Sequence, residues 1–136
     1  MNGNPAVVLD ASALLAYIHG ERGASEVRKA FDTHAAISAV NWAEVLSKLA
    51  DVGLDPATTS KRVRDQAVIG SALSVWPFDE RLALDVAELR NQTRPYGLSL
   101  GDRACLALGS FLKVPILTAD RKWAELKMRV TLRFIR

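Results

Sequence analysis

The feature that most limits the possible folds is the alternation of short apolar runs with amphipathic segments. Residues 6–9 are all apolar and end at Asp10, which is the pattern of a strand buried on both faces. Residues 11–19 follow with apolar side chains at helical spacing. The same succession returns along the chain. The sequence therefore predicts an α/β domain with a mainly parallel sheet.

Periodicity, caps and glycine or proline breaks together predict the individual elements. The predicted strands are residues 6–9, 35–39, 73–78, 115–118 and 130–135. The predicted helices are residues 11–19, 24–32, 41–52, 55 to about 68, 79–92, a helix that begins at residue 99, and 120–126. Residues 94–97 are expected to form a loop, and the last strand alternates enough to be a sheet edge.

Length and composition indicate one ordinary globular domain. The chain has 136 residues, of which 49% are hydrophobic and 24% charged. Its single cysteine, Cys105, excludes an internal disulfide and is expected to be a small core residue. We see no leader-like segment and no long apolar run, so we expect a soluble cytoplasmic protein without a membrane anchor.

Positive charge is concentrated at the end of the sequence. The formal net charge is +3, but the stretch from residue 113 onward carries +5. Its bases are Lys113, Arg121, Lys122, Lys127, Arg129, Arg133 and Arg136, opposed by Asp120 and Glu125. A basic end near a functional face attracts a polyanion, and it is also the pattern of a solvated surface.

Acidic residues stand where predicted strands end or where the next helix begins. Asp10 follows the first strand, while Thr118 and Asp120 end the fourth. Glu44 lies just inside the helix after the second strand, and Asp102 lies in the first turn of the helix from residue 99. Active sites of open parallel sheets lie beyond the carboxyl ends of the strands. We therefore expect the four carboxylates at one rim of the sheet.

Four neighbouring carboxylates repel one another unless a cation neutralises them. Oxygen ligands without histidine or cysteine favour a hard cation, Mg²⁺ or Mn²⁺. Such an ion lowers the pKa of a water and stabilises charge on a phosphodiester. The pattern thus indicates metal-assisted phosphodiester hydrolysis.

Each carboxylate also has a purely structural interpretation. Asp10 and Asp120 have the position of helix N-caps, since each follows a strand and precedes a helix. Ser99 and Asp102 have the spacing of a capping box. Glu44 has the position of a solvent-facing helix residue. Capping and metal binding are compatible with each other.

Four segments resemble the sequence blocks of PIN-domain nucleases, in the same order and over essentially the whole chain. They are residues 8–16, 38–45, 98–107 and 115–121. Each block contains one of the four acids, and no acidic position is missing. The resemblance is greatest to the VapC-type toxins of bacterial toxin–antitoxin pairs, which are small single-domain endoribonucleases.

This resemblance implies a three-layer α/β/α fold with a five-stranded, mainly parallel sheet, formed by residues 1–136 as one domain. It implies an RNA-cutting site that depends on Mg²⁺, with Mn²⁺ able to substitute, built from the four acids. Asp10 and Asp102 are the implied direct metal ligands. Ser12 and Thr118 match polar positions that orient carboxylates or water, and Asn41 is a weaker candidate for that role.

The resemblance also implies partners: an RNA substrate, a cognate antitoxin that covers the site, and a second copy of the chain in a homodimer. Residues 51–70 contain no recognisable motif, so specificity for substrate or partner is expected there. The apolar positions Val63, Ala67 and Val68 fit either such an interface or the core.

Two other functions fit parts of the pattern. One is a non-catalytic RNA- or protein-binding module on the same scaffold. The other is a receiver-like phosphorylation domain, which needs an acidic pair after the first strand and a lysine after the fifth. The sequence offers neither, since Ala11 and Ser12 follow Asp10.

Aromatic and basic residues near the blocks are further candidates for RNA contacts. Trp42 and Trp123 flank block residues and are candidates for base stacking, whereas Trp76 is expected in the core. Arg103 and Arg121 adjoin the acids, where they either contact phosphate or balance charge. The two histidines match no block.

Overall fold

The computed structural model describes residues 4–66 and 72–136. The strands are β1 (Val7–Leu9), β2 (Ala35–Ser38), β3 (Leu73–Trp76), β4 (Ile116–Thr118) and β5 (Leu132–Phe134). The helices are α1 (Ala11–His19), α2 (Ala24–Asp32), α3 (Ala39–Asp51), α4 (Pro56–Asp65), α5 (Glu80–Thr93) and α6 (Leu100–Leu112). Two 3-10 helices, Arg94–Tyr96 and Arg121–Glu125, complete the described elements.

The five strands form one sheet in the order β3-β2-β1-β4-β5, and every neighbouring pair is parallel. The predicted sheet, mainly parallel with an edge at the last strand, is therefore confirmed and is parallel throughout. In the centre, Leu9 of β1 is paired with Ile37 on one side and with Leu117 on the other.

Helices cover both faces of the sheet because alternate strand residues point to opposite sides. Leu9 and Ile37 pack with buried side chains of α1 to α4, such as Leu14. Val8 and Ile116 pack on the other face, against α5, α6 and the 3-10 helix Arg121–Glu125. The result is the predicted three-layer α/β/α architecture, with a core on each side of the sheet.

Most helix boundaries follow local signals. The first two helices have the predicted bounds, and α1 ends where Gly20 adopts the left-handed φ of 65°. The third begins earlier than the predicted residue 41, because Ser38 caps it by accepting a hydrogen bond from the Val40 N–H. Residues 94–97 contain a 3-10 helix where a loop was predicted.

The fourth helix starts as its Asp55-Pro56 signal predicts, with Asp55 Oδ2 accepting a hydrogen bond from Thr58 N at 2.9 Å. It ends at Asp65, before the predicted residue 68. Residues 67 and 68, for which an interface or core role was weighed, lie outside the described residues. Across the described ranges, no helix has the length and apolarity that crossing a membrane requires.

Candidate active site

The order of the strands reverses between β1 and β4, and this point defines the site. A crevice forms beyond the carboxyl ends of two parallel strands when their connections leave in opposite directions. Asp10 directly follows β1, and Asp120 lies two residues beyond β4. The Asp10 N–H donates to the Leu117 carbonyl at 3.1 Å, which extends the pairing of the two strands up to the carboxylate.

Asp10 is both a helix cap and the most enclosed of the four acids. Its side chain is buried, and both of its oxygens are engaged. Oδ1 accepts from Ala13 N at 2.8 Å and from Ser12 Oγ at 2.7 Å. Oδ2 accepts from Thr118 Oγ1 at 2.5 Å. The capping interpretation of Asp10 is thus correct, and it coexists with a position in the crevice.

The hydroxyl groups of Ser12 and Thr118 each use their one proton on Asp10. Their oxygens lie 3.5 Å apart, and both accept backbone N–H groups from the end of β4. Ser12 Oγ accepts from Ala119 N, and Thr118 Oγ1 accepts from Asp120 N, both at 2.9 Å. The two hydroxyls therefore tie the orientation of the Asp10 carboxylate to the backbone that carries Asp120.

Burial raises the pKa of the Asp10 carboxyl from 3.8 to about 6. Hydrogen bonds from Thr118, Ser12 and the Ala13 N–H lower this pKa, because they favour the charged form. The negative charge of Asp102 raises it. At neutral pH the carboxyl is mainly ionised, although burial makes the ionised form less stable than it is in water.

A second group of contacts holds Glu44 against the start of α6. Asn41, in the first turn of α3, is 1% exposed. Its Nδ2 donates to Glu44 Oε1 at 2.8 Å and to the Gly101 carbonyl at 2.9 Å. Because both neighbours are acceptors, the amide nitrogen must face them. Asn41 Oδ1 is buried without a hydrogen-bond partner among the described residues.

Gly101 makes room for Glu44. A Cβ atom at position 101 would lie 2.6 Å from the Cδ of Glu44 and 2.7 Å from its Oε2, so any side chain there would displace the Glu44 carboxylate from its present position. Gly101 was not among the residues predicted from the sequence. The sequence did contain one signal: a glycine in the first turn of the helix, directly before Asp102. Glycine disfavours a helix, so its presence there indicates a need for space.

Asp102 and Asp120 also serve as caps. Asp102 N donates to Ser99 Oγ at 3.1 Å, and Ser99 N donates to Asp102 Oδ2 at 3.0 Å, which completes the predicted capping box. Asp120 Oδ1 accepts from Lys122 N at 3.0 Å at the start of the 3-10 helix. Each of these acids keeps one carboxylate oxygen outside the hydrogen bonds of the cap.

The buried thiol of Cys105 is influenced by three of the acids. Burial raises the pKa of Cys105 well above its usual range, and the charges of Asp10, Asp102 and Glu44 raise it further. The backbone N–H of Asp120 is held by Thr118, which also donates to Asp10. Over residues 4–66 and 72–136, no group of three acidic, histidine or cysteine side chains is arranged to hold a metal ion.

Several other candidates have structural roles. Trp123 is fully buried in the core, which rules out base stacking. Arg103 is buried and donates to the Val86 carbonyl of α5 at 3.0 Å, so it points away from the acids and cannot contact phosphate. The guanidinium of Arg121 lies over the Phe134 ring at 4.8 Å.

The other tryptophans are partly buried. Trp42 packs at the border of the core formed with α1 to α4, so its role in stacking stays a prediction. Trp76 packs at the border of the opposite core and donates from Nε1 to Ser74 Oγ at 3.0 Å, as expected of a core residue.

Sequence comparison identifies the family of the chain. The PIN domain profile matches residues 7–128, and the chain therefore belongs to the PIN domain family. No curated protein matches the sequence.

The solved structures that resemble this chain include VapC toxins of VapBC toxin–antitoxin complexes. DNA-bound VapBC from Salmonella typhimurium aligns with a TM-score of 0.73 and 14% identity, covering 98% of this chain and 100% of the other. VapC20 from Mycobacterium tuberculosis, a Sarcin-Ricin loop cleaving toxin, aligns at 0.68 with 12% identity, covering 92% and 98%. VapBC-5 from the same species aligns at 0.59 with 23% identity, covering 97% and 99%. At these identities the likeness shows the fold.

Proposed function

We propose that this chain, as a single PIN domain of residues 1–136, is a metal-dependent endoribonuclease and the toxin of a VapBC-like toxin–antitoxin pair. The observation that carries the proposal is a pair of hydrogen-bonded contacts between distant elements. Thr118 joins the Asp10 carboxylate to the backbone N–H of Asp120, and Asn41 joins Glu44 to the Gly101 carbonyl, next to Asp102. Structural capping alone requires neither contact.

The donor set fits Mg²⁺, with Mn²⁺ as a substitute, because every candidate ligand is an oxygen. Asp10 and Asp102 are the proposed direct ligands. When bound, the ion supplies an activated water and offsets charge on the phosphodiester. Glu44 and Asp120 add negative charge beside those ligands. Ser12, Thr118 and Asn41 keep the carboxylates oriented through the hydrogen bonds described above.

Partners follow from the same proposal. The substrate is RNA in the cytoplasm, and a cognate antitoxin protein covers the acidic site. Relatives have been crystallised as toxin–antitoxin complexes, including one from Klebsiella pneumoniae with a TM-score of 0.69 and 19% identity. We propose that this chain likewise binds an antitoxin and forms a homodimer.

Cleavage of total cellular RNA tests the proposal. The purified protein should cut RNA with Mg²⁺ or Mn²⁺ and not with EDTA. Asp10→Asn and Asp102→Asn should each lower the rate at least about a hundredfold, since they remove charge with little change in shape. Asp79→Asn is the matched control, because Asp79 also follows a strand and caps a helix through a 3.0 Å hydrogen bond.

The alternative is a non-catalytic RNA- or protein-binding PIN module. One observation favours this alternative. In the described part of the chain, no three ligand side chains are already arranged to hold an ion. A wild type that binds RNA but cuts none with either metal would establish this alternative. Equal cleavage by wild type and both asparagine variants would show that the activity comes from a contaminant.

A further inference from the structure

Two adjoining grooves lie beside the carboxyl end of α6, between that helix and residues 127–131. One has a volume of about 330 Å³ and is lined by Lys113 and Arg129. The other, of about 700 Å³, is lined by Lys127 and Arg129. They share Ser110, Arg129 and Val130, and no acidic residue lines either groove in the part of the chain that the structure describes.

The three cations of these grooves are free to bind a ligand. All three residues are exposed. The ion pairs found within the described ranges occupy other bases: Lys29, Lys61, Arg81 and Arg136. Lys113 also lines a neighbouring cavity that contains Asp85 and Glu88, and neither acid forms an ion pair with it among the described residues. An anion in the two grooves would thus meet three bases that no ion pair occupies.

The grooves are connected to the acidic site by one continuous segment. Since β4 and β5 are parallel, the chain between them must cross from the edge of the sheet that carries Asp120 to the opposite edge. Along this crossing it carries four exposed bases and one exposed acid, Glu125, so the segment is positive by three charges. The bases are Arg121, Lys122, Lys127 and Arg129. Along α6, residue 113 lies about 16 Å from residue 102, at 1.5 Å per residue. Positive charge therefore extends from the acids to the grooves.

Only part of the positive charge in the grooves can be explained as compensation of the α6 helix dipole. One cation in the last turn or at the cap suffices for that effect, and Lys113 already occupies the cap position. Lys127 and Arg129 belong to a different segment. Ser110 and Gln92 add hydroxyl and amide donors to the same walls, which are groups that contact phosphate and sugar oxygens.

We propose that these grooves bind the phosphodiester backbone of single-stranded RNA, outside the bond that is cut. The proposal rests on the proposed ribonuclease function and names a surface that holds longer substrates. An RNA of a few nucleotides does not fill the acidic site and the grooves at once. An RNA of about twenty nucleotides spans both the acidic site and the grooves, and its binding gains from the three cations.

The test compares two triple variants with equal loss of charge. The first is Lys113→Gln, Lys127→Gln, Arg129→Gln. The matched control is Arg22→Gln, Arg28→Gln, Lys48→Gln, which removes three exposed bases away from the grooves and from residues 51–70. Binding of fluorescein-labelled RNA, four or twenty nucleotides long, is measured by anisotropy in an Asp10→Asn background. Circular dichroism confirms that both variants remain folded.

The groove variant should bind the twenty-nucleotide RNA at least tenfold more weakly, and its loss for the short RNA should be smaller, because a short RNA makes fewer contacts with the three cations. The slope of log Kd against log salt should fall by about 2, since each lost contact to a single strand contributes about 0.7. The control variant should change the Kd less than twofold. With Asp10 restored, cleavage of the short RNA should likewise differ less between wild type and groove variant than cleavage of the long RNA.

Equal losses in the two triple variants, or equal losses for long and short RNA, would overturn the proposal. So would tighter binding of a fluorescent polyglutamate peptide than of RNA, which would identify a surface for acidic proteins. The two hypotheses fail separately. If the wild type cuts no RNA, but the groove variant still loses more affinity for long RNA than for short RNA, the RNA-binding surface is supported and the nuclease function is not.

Discussion

Thr118 Oγ1 donates a 2.5 Å hydrogen bond to Asp10 Oδ2 across 108 residues of sequence. The bond joins the ends of two neighbouring strands at the point where the strand order reverses. Thr118 is fully buried, so water does not replace the contact. The position of the Asp10 carboxylate therefore depends on a side chain that is itself neither acid nor ligand.

Thr118→Val should weaken both the fold and the site. Valine has nearly the same shape but leaves Asp10 Oδ2 and the Asp120 N–H without their partner. We expect the free energy of unfolding to fall by about 1–3 kcal/mol. The pKa of Asp10 should rise above about 6, since a hydrogen bond that lowers it is lost. Urea unfolding and the pH dependence of cleavage measure the two effects.

Thr118→Ser is the control, because serine keeps the hydroxyl. Its pH profile should match that of the wild type, whereas the profile of Thr118→Val should shift to higher pH. Identical profiles for valine and threonine would show that the hydroxyl does not influence the reaction.

The raised pKa of Asp10 gives stability a defined dependence on pH. Between pH 3.8 and about 6 the folded protein keeps a proton on this carboxyl that the unfolded chain releases. The free energy of unfolding therefore falls as the pH rises through this window and is level above it. About two pKa units correspond to at most about 3 kcal/mol.

Asp10→Asn removes the free-energy cost of ionising a buried carboxyl at this position. In EDTA, the variant should be more stable than the wild type by about 1–3 kcal/mol at neutral pH, and the difference should vanish below about pH 4. Chemical denaturation of both proteins across this range measures the difference. A difference that stays constant with pH would mean that Asp10 titrates alike in the folded and unfolded states.

Gly101→Ala should inactivate the protein while leaving all four acids in place. The added methyl group occupies the space of the Glu44 carboxylate, which must move. We expect cleavage to fall at least about tenfold. The free energy of unfolding should fall by only about 0.5–1.5 kcal/mol, because the end of a flexible side chain can move aside and loses mainly its hydrogen bond from Asn41. Activity assays and thermal unfolding measure these losses.

A double-mutant cycle isolates the contact. In a Glu44→Ala background the carboxylate is gone, and Gly101→Ala should then stabilise the protein by up to about 1 kcal/mol through helix propensity. The sign of the stability change should thus reverse between the two backgrounds. The same sign in both would place the effect elsewhere in α6.

Asn41→Asp should destabilise the fold in a pH-dependent way. Its new oxygen faces the Glu44 carboxylate and the Gly101 carbonyl, where an amide nitrogen now donates. We expect the free energy of unfolding to fall by about 2–4 kcal/mol at neutral pH, and by less near pH 4, where a proton restores a donor. Asn91→Asp, at an exposed position of α5, is the control for the added charge.

Equal effects of Asn41→Asp and Asn91→Asp at neutral pH would refute the bridging role of the Asn41 amide. Urea unfolding at the two pH values distinguishes the outcomes.

The parts of the fold that local chemistry controls were predictable. Apolar runs, caps and breaks identified the strand ends, and the carboxyl ends of parallel strands placed Asp10 and Thr118 at one rim. The capping interpretation is confirmed for Asp10 and Asp102. The site interpretation of the four acids stays a prediction.

The rest depends on packing between distant elements. Asn41 reaches the Gly101 carbonyl across 60 residues, and no periodicity shows that α3 and α6 approach so closely. The direction of Arg103 follows from the packing of α6 on α5, which buries that face of the helix. Trp123 flanks a motif in sequence, yet the short 3-10 helix turns it into the core.

The close approach at Gly101 means that the four acids alone do not define the site, because the residue beside Glu44 must also be small. A relative that retains all four acids but has a bulkier residue at this position must hold the carboxylate of the second block elsewhere. Its acids alone would predict an intact site. The single neighbouring side chain would instead predict a displaced carboxylate.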